Sequence, residues 1–304
     1  MHIGLLGLGK MGANMARRLA RGGANVSVWN RSHDVAANLA QAEANVSAYA
    51  SVAELVAQLP GPRIVWMMLP AGDASEVALQ QLAGLLSPGD IVVDGANAFY
   101  KDSQRHANEM EVRGLRFMDA GVSGGVWGLA NGYALMVGGE ADTVAEVTPF
   151  IKILAPGPET GWLHCGPAGS GHFVKMVHNG IEYGMMQALA EGLSLLKGKE
   201  EFDIDLAGVS EMWRHGSVVR SWLLDLTAEF LQNDQTLDAI APFVADSGEG
   251  RWTVLEAVEQ GTPAPVMTLA LMMRFASQGK HEYTDKLLAM MRKGFGGHGV
   301  KEDV

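Results

Sequence analysis

Cysteine is nearly absent from this chain: Cys165 is the single one in 304 residues. One thiol cannot close an internal disulfide, which excludes a disulfide-stapled scaffold and points to a reducing, cytoplasmic setting. Positive charge is also scarce. There are 23 Lys and Arg against 34 Asp and Glu, a formal net charge of −11. A general nucleic-acid or membrane-surface binder needs the opposite balance, so neither partner is expected. Any anionic ligand then requires cations placed locally. No apolar run reaches the roughly 18 residues of a membrane span. Met1 leads straight into an apolar strand pattern, without the basic segment and cleavage site of a secretory leader. No His, Cys and carboxylate group has metal-ligand spacing, so no metal is expected. Repeats and low-complexity tracts are missing too. What is present is 48% hydrophobic and 19% charged, the balance of a globular enzyme with room for two ordinary domains.

The first half alternates strand and helix patterns. His2–Leu6, Ala24–Trp29, Ile64–Leu69 and Ile91–Asp94 read as strands, the last two as short continuous apolar runs buried on both faces. Arg116–Ala120 and Tyr133–Val137 follow. Helical patterns fall between them, at Gly9–Ala20, Ser75–Leu86 and Ser103–Arg113. This alternation predicts an α/β fold with a parallel, doubly wound Rossmann-type sheet. After the turn-rich stretch Gly161–Gly171 the chain reads as almost all helix. A long pattern runs from Gly171 to Leu196, and others lie at Leu206–Gly216, Val218–Asn233, Trp252–Gln260, Pro265–Ser277 and Tyr283–Lys293. We therefore expect a dinucleotide-binding domain over 1–165 and an all-α domain over 166–304, ending in the glycine-rich tail Gly294–Gly299.

Gly7-Leu8-Gly9-Lys10-Met11-Gly12 fits the G-x-G-x-x-G pattern after a strand and at the start of a helix, the context a dinucleotide site needs. Gly7 serves the tight turn, Gly9 the approach of a pyrophosphate, and Gly12 close helix packing. The helix N-terminus attracts the phosphate charge. Roughly 20 residues on, where such folds place the ribose selector, stand Asn30, Arg31 and Ser32. A guanidinium and a hydroxyl suit a 2′-phosphate, which predicts NADP. Asn30 can also serve ribose hydroxyls, so NAD stays open. Leu69 and Asn97, following two further strands, are assigned to the cofactor as well.

Lys175, His178, Asn179 and Glu182 recur at spacings of three, four and seven residues, which puts them on one stripe of a helix. Phe173, Val174, Val177 and Ile181 fall on its other faces, so the stripe is polar on an otherwise buried helix. An unpaired buried amine or carboxylate costs several kcal/mol on an order-of-magnitude scale, so such a stripe needs a use. Burial disfavours the ammonium form of Lys175 and suits it to act as a general base. Glu182 lies about 10.5 Å further along the axis, suited to act at a different carbon. Asp119-Ala120-Gly121-Val122-Ser123-Gly124-Gly125 and Asp94-Gly95-Ala96-Asn97 each follow a strand, and their turns expose N–H groups and polar side chains where open α/β sheets bind ligands.

The run Gly166–Glu191, with His172-Phe173-Val174-Lys175-Met176-Val177-His178-Asn179-Gly180-Ile181-Glu182-Tyr183-Gly184, resembles the signature of decarboxylating 6-phosphogluconate dehydrogenases. So do Asp94–Asn97 with Tyr100-Lys101-Asp102-Ser103, Val122–Gly125, and Gly250-Arg251-Trp252-Thr253. The likeness covers nearly the whole chain, in a form shorter than the long members. It implies oxidation and decarboxylation of 6-phospho-D-gluconate to ribulose 5-phosphate with NADP or NAD, in the pentose phosphate pathway and gluconate use. It implies Lys175 as base and Glu182 as acid. Asn97, Ser123, Gly124, Gly125, His178, Asn179, Tyr183, Arg274 and His298 would hold substrate, with Tyr183 and Arg274 on its phosphate. The chain departs from the long members at Ser247, where they carry lysine, with Glu249 nearby and Arg251 a candidate replacement cation. Ala96 and Ala98 also replace a glycine and a serine. A halved helical domain would leave apolar surface for a partner subunit, so a homodimer or homotetramer is expected.

Two alternatives stand beside this reading. A β-hydroxyacid dehydrogenase of the 3-hydroxyisobutyrate type shares the glycine motif, the Ser-Gly-Gly turn and the lysine, but lacks the His-Asn-Gly-Ile-Glu-Tyr run. A non-catalytic NADP sensor has no reason to keep both Lys175 and Glu182.

Overall fold

The structure, a computed structural model, describes residues 1–296 and 299–301. The chain divides into two compact units, Met1–Met176 and Val177–Val304.

The first unit is built on strands β1 (His2–Leu6), β2 (Asn25–Trp29), β3 (Val46–Ala48), β4 (Ile64–Met67), β5 (Ile91–Asp94), β6 (Arg116–Ser123), β7 (Ala134–Gly139) and β8 (Trp162–Gly166). Its helices are α1 (Lys10–Arg21), α2 (His33–Ala42), α3 (Val52–Gln58), α4 (Asp73–Leu85), α5 (Tyr100–Glu111), the short α6 (Gly128–Asn131) and α7 (Ala141–Leu154). The strands form one sheet in the order β3-β2-β1-β4-β5-β6-β7-β8. Sequential strands run outward from β1 in both directions, so the order reverses between β1 and β4. That switch point is where an open α/β sheet leaves a crevice at its carboxyl edge.

Each face of the sheet carries its own core, because strand residues alternate sides. Ile3, Leu5, Trp66, Val93 and Met118 pack with Met15 and Leu19 of α1 and Val147 and Ile151 of α7. Leu6, Val65, Met67, Val92 and Phe117 pack with Leu55 of α3, Leu79 and Leu82 of α4, and Met110 of α5. Fully burying one such side chain is worth about 1.5–3 kcal/mol. Local signals set the helix ends: Ser51 Oγ caps α3 by accepting the Glu54 N–H at 3.1 Å.

Three features differ from the sequence expectation. The sheet is not wholly parallel, since β7 runs antiparallel to β6. The segment between Ser123 and Ala134 is too short for the crossover that a parallel partner requires. Strand β3 has three residues and gives no usable periodicity. Strand β8 lies in the turn-rich stretch, at an edge of the sheet where apolar alternation is not enforced.

Helix α8 (Ser170–Gly198) starts in the first unit and continues into the second. The second unit also holds α9 (Leu206–Arg214), α10 (Trp222–Asn233), α11 (Glu249–Gln260), α12 (Pro265–Ser277) and α13 (Glu282–Gly296). Ser221 Oγ caps α10 through the Leu224 N–H, Gly261 ends α11 in the left-handed region, and Pro265 opens α12. Helix α8 is not buried all round as expected, for Val174, Ile181, Met185 and Leu195 are exposed. So are Leu255 and Val258 on α11, Leu269 and Met272 on α12, and Leu288 and Met291 on α13. Periodicity identifies an apolar face but not whether the same chain covers it.

Candidate active site

The glycine turn sits at the switch point. It follows β1, and the Gly7 N–H donates to the Trp29 carbonyl at the end of β2 (2.9 Å). A methyl on Gly12 would overlap the Gly7 carbonyl oxygen, so turn and helix close on each other only with glycine there. Around Gly9, by contrast, a Cβ would meet nothing within 4 Å. The first turn of α1 has neither a side-chain cap nor an acidic residue. The N–H groups of Lys10, Met11 and Gly12 are thus left for an external anion, as a pyrophosphate requires. Leu69, just past β4, lies against the turn: its Cδ2 is 2.8 Å from the place of a Gly7 Cβ. This arrangement fits a dinucleotide.

Asn30 holds the turn together and keeps a second amide N–H and a second oxygen lone pair for a ligand. Its Oδ1 accepts the Leu8 N–H at 3.0 Å, and its Nδ2 donates to the Ser32 carbonyl at 3.1 Å. It ties the end of β2 to the glycine turn. Arg31 is exposed and makes no hydrogen bond or ion pair among the described residues. Ser32 stands at the N-cap of α2 without a side-chain cap bond. A free guanidinium, a free hydroxyl and an uncapped helix start together suit a phosphate.

The two turns at the carboxyl ends of β5 and β6 present their polar groups outward. Asp94 is fully buried, and its Oδ1 accepts the Ala96 N–H at 3.0 Å, shaping the turn that carries Asn97. Asn97 is exposed between buried Ala96 and Ala98. Ser123, Gly124 and Gly125 end β6 and stay half-buried to exposed.

Lys175 belongs to the same unit. It is 9% exposed. A methyl on Gly121 of β6 would overlap Lys175 Cβ and come within 3.0 Å of its Cγ. The lysine stem therefore lies directly on the strand, two residues before Ser123. Sequence reasoning placed Lys175 on a helix stripe. It could not show that Gly121, 54 positions away in the chain, makes room for it.

In the second unit α8 continues the stripe. Asn179 is buried while His178 and Glu182 are partly open. His178 Nδ1 is 3.1 Å from Asn179 Oδ1 and 3.9 Å from Glu182 Oε2. The neighbour of the Glu182 carboxylate on this stripe is thus the His178 ring, one turn back. Gly180 carries no side chain, and a methyl there would press on Thr253 of α11. Tyr183 is buried against Ala270 and Leu271 of α12. The Arg274 guanidinium stacks over its ring with Cζ 3.4 Å from the centroid, and donates to the Ala245 carbonyl at 2.8 Å.

Ser247 and Glu249 tie into this group. Ser247 Oγ donates to Glu249 Oε2 at 2.5 Å and lies 3.2 Å from the Tyr183 hydroxyl. Ser247, which stands where the long members carry lysine, therefore links Glu249 to Tyr183 in one hydrogen-bonded chain. Arg251 does not stand free as a substitute cation. Its Nε pairs with Asp246, and its guanidinium lies 4.6 Å from the centroid of the Phe275 ring. Burial alone would raise the Asp246 carboxyl, but the Arg251 hydrogen bond, the Gly248 N–H and the charges of Arg251 and Arg274 hold it below the usual carboxylate range. His298 lies outside the described residues. Among the described residues no group of three or more His, Cys, Asp and Glu could hold a metal, and no helix is long and apolar enough to cross a membrane.

The chain is similar to known proteins over nearly its whole length. Residues 2–165 match the family model described as the NAD binding domain of 6-phosphogluconate dehydrogenase, and residues 171–300 match the 6-phosphogluconate dehydrogenase C-terminal domain. An NAD(+)-dependent, decarboxylating 6-phosphogluconate dehydrogenase of Haloferax volcanii is 40% identical over 99% of this chain and 98% of its own length. An NADP(+)-dependent, decarboxylating counterpart of Bacillus subtilis is 36% identical over 92% of this chain, which spans 62% of that longer relative. The 6-phosphogluconate dehydrogenase of Plasmodium falciparum, solved apo, with NADP+ and with 6-phosphogluconate, superposes with a TM-score of 0.85 at 30% identity, covering all of this chain and 66% of that one.

Proposed function

The chain belongs to the 6-phosphogluconate dehydrogenase family, and from that premise we propose that it converts 6-phospho-D-gluconate to ribulose 5-phosphate and carbon dioxide while reducing NADP or NAD. The observation that carries this reading is the seat of Lys175 on Gly121, beside the strand end that leads to Ser123–Gly125. A buried amine held at the carboxyl edge of a dinucleotide-binding sheet is the base such an oxidation needs.

The bound nicotinamide supplies the two-electron acceptor for the hydroxyl-bearing carbon. Lys175, in its neutral form, takes the hydroxyl proton. The β-keto acid so formed loses carbon dioxide because the electrons of the breaking bond flow into the carbonyl. The Lys175 ammonium then donates a hydrogen bond to the developing enolate oxygen. Glu182, two helical turns on, protonates the enediol at a different carbon. Asn97, Ser123, Gly124, Gly125, His178, Asn179, Tyr183 and Arg274 would hold substrate by the family pattern, as would His298. Arg274 and Tyr183 would take the phosphate. Gly7–Gly12, Leu69 and Asn97 would hold the dinucleotide. The free Arg31 and Ser32 support NADP as the preferred form, with Asn30 shaping the turn.

The exposed apolar faces of α8 and α11–α13 support a homodimer or homotetramer, which light scattering of the purified chain tests. A lone free cysteine supports a cytoplasmic setting. The deciding experiment is a spectrophotometric assay of 6-phosphogluconate with NADP and NAD in parallel, with carbon dioxide trapped. Cofactor reduction without carbon dioxide release would move the chain to a non-decarboxylating hydroxyacid dehydrogenase. No reduction with either cofactor would remove the enzyme reading.

A further inference from the structure

Asp119 has no part in the chemistry above, yet it is fully buried in the middle of β6. Each of its oxygens accepts a backbone N–H from the start of α8: Gly169 to Oδ1 and His172 to Oδ2, both at 2.6 Å. The helix has no local cap to offer instead. Gly169 precedes it with no side chain, and Ser170 Oγ is buried without a partner. A cap of that kind is normally supplied by the residue just before the helix. Here it comes from a strand 50 residues earlier in the chain.

The choice of strand has a consequence. Asp119 and Gly121 are two apart on β6 and so project to the same face. Asp119 holds the first turn of α8, and Gly121 receives Lys175 one turn further on. Gly138 and Gly171 complete the fit, since a methyl on either would come within 3.0 Å of an Asp119 oxygen. A second tie acts on the same turn from α5, where Ser103 Oγ is 2.7 Å from His172 Nδ1. A slip of one residue along the helix would move Lys175 by about 1.5 Å and turn it by about 100°.

We propose that Asp119 is a positioning residue for the reaction: by holding the Gly169 and His172 N–H groups, it sets the depth and rotation at which Lys175 meets the substrate hydroxyl. This rests on Lys175 being the base. Burial pushes the Asp119 carboxyl up, and the backbone N–H groups of His172 and Gly169 act in the opposite direction.

The test is Asp119→Asn in the full chain, compared with Arg63→Ala. The asparagine keeps the shape but turns an N–H toward one of the two N–H donors. Arg63→Ala removes the ion pair to Asp90 at 3.0 Å, on strand ends away from the carboxyl edge, and serves as a stability control. Asp119→Asn should lower kcat at least tenfold, leave KM for 6-phosphogluconate and NADP within threefold, and raise the isotope effect on kcat with deuterium at the oxidised carbon. Arg63→Ala should lower the melting temperature while keeping kcat within twofold. A kcat within threefold of wild type for Asp119→Asn overturns the proposal. So does an equal loss of kcat in both variants at matched loss of melting temperature. If Asp119→Asn does not fold, Asp119→Ser, which can accept one N–H, is read by the same criteria. Lys175→Ala separates the two layers. Retained turnover there removes the base itself, whereas lost turnover there with an unaffected Asp119→Asn removes only the positioning role.

Discussion

Gly121→Ala should perturb the chemistry by displacing the stem of Lys175 while leaving its amine chemically intact. The added methyl would lie well inside 3.0 Å of Lys175 Cβ, and it would also meet Lys175 Cγ at 3.0 Å and the Gly171 carbonyl oxygen at 3.1 Å, whereas ordinary contact begins at 3.4 Å. None of these is the loose end of a flexible chain. Two are the root of the lysine and one is helix backbone, so α8 must back away from β6 by about 1 Å. Overpacking of this kind costs about 1–3 kcal/mol of stability. A displacement of about 1 Å at a positioned group can cost about a hundredfold in rate. The expected result is a folded protein with kcat down by roughly that factor. Binding of NADP, followed by fluorescence titration, should stay near wild type, because the glycine turn after β1 is a separate construction. Steady-state rates with 6-phosphogluconate and thermal unfolding on the same preparation measure both effects. Turnover within threefold of wild type, in a variant destabilised as expected, would show that the seat of Lys175 does not govern the reaction.

Three further expectations concern other parts of the site. Glu182→Ala should slow ketose formation by about a hundredfold, as loss of a general acid does, and slow cofactor reduction less; equal rates to wild type in both steps would refute the acid role. Arg31→Ala should weaken NADP about tenfold or more, the worth of one charge-assisted hydrogen bond, and leave NAD nearly unchanged; an unaltered preference would make Arg31 a bystander. Asp246 sits below its ordinary range when folded, so its stabilisation is complete above its unfolded value of about 3.9 and fades as pH falls through the lower folded value. Asp246→Asn should therefore flatten the loss of stability below about pH 4, seen by circular dichroism during acid titration; an unchanged acid limb would show that the Arg251 pair contributes nothing.

Much of this protein is written locally. The glycine turn is six consecutive residues whose steric needs are those of one strand-to-helix corner. The Lys175–Glu182 stripe follows from helical periodicity, and the strands β1, β4 and β5 follow from short apolar runs. All of these depend on neighbours within a turn or two, which a chain read in order displays. The direction of β7 was harder, because it depends on the length of a connection and not on the composition of the strand. Strand β8 gave no signal, being an edge strand among turns.

Other features depend on which distant residue comes to lie opposite, and no periodicity encodes that. Gly121 reads as one glycine among 38 until Lys175 is seen resting on it. Asp119 reads as the opening of a turn until it is found capping a helix 50 residues away. Arg251 looks like a free cation, and the fold spends it on Asp246. Asn30 stands at the ribose-selector position, and only the fold shows that it also holds Leu8. The chain order settles which groups are available and along which face they repeat, because backbone geometry is short-ranged. Which of them stay free for chemistry is settled by packing, because a buried donor or acceptor must take whatever partner the fold brings to it.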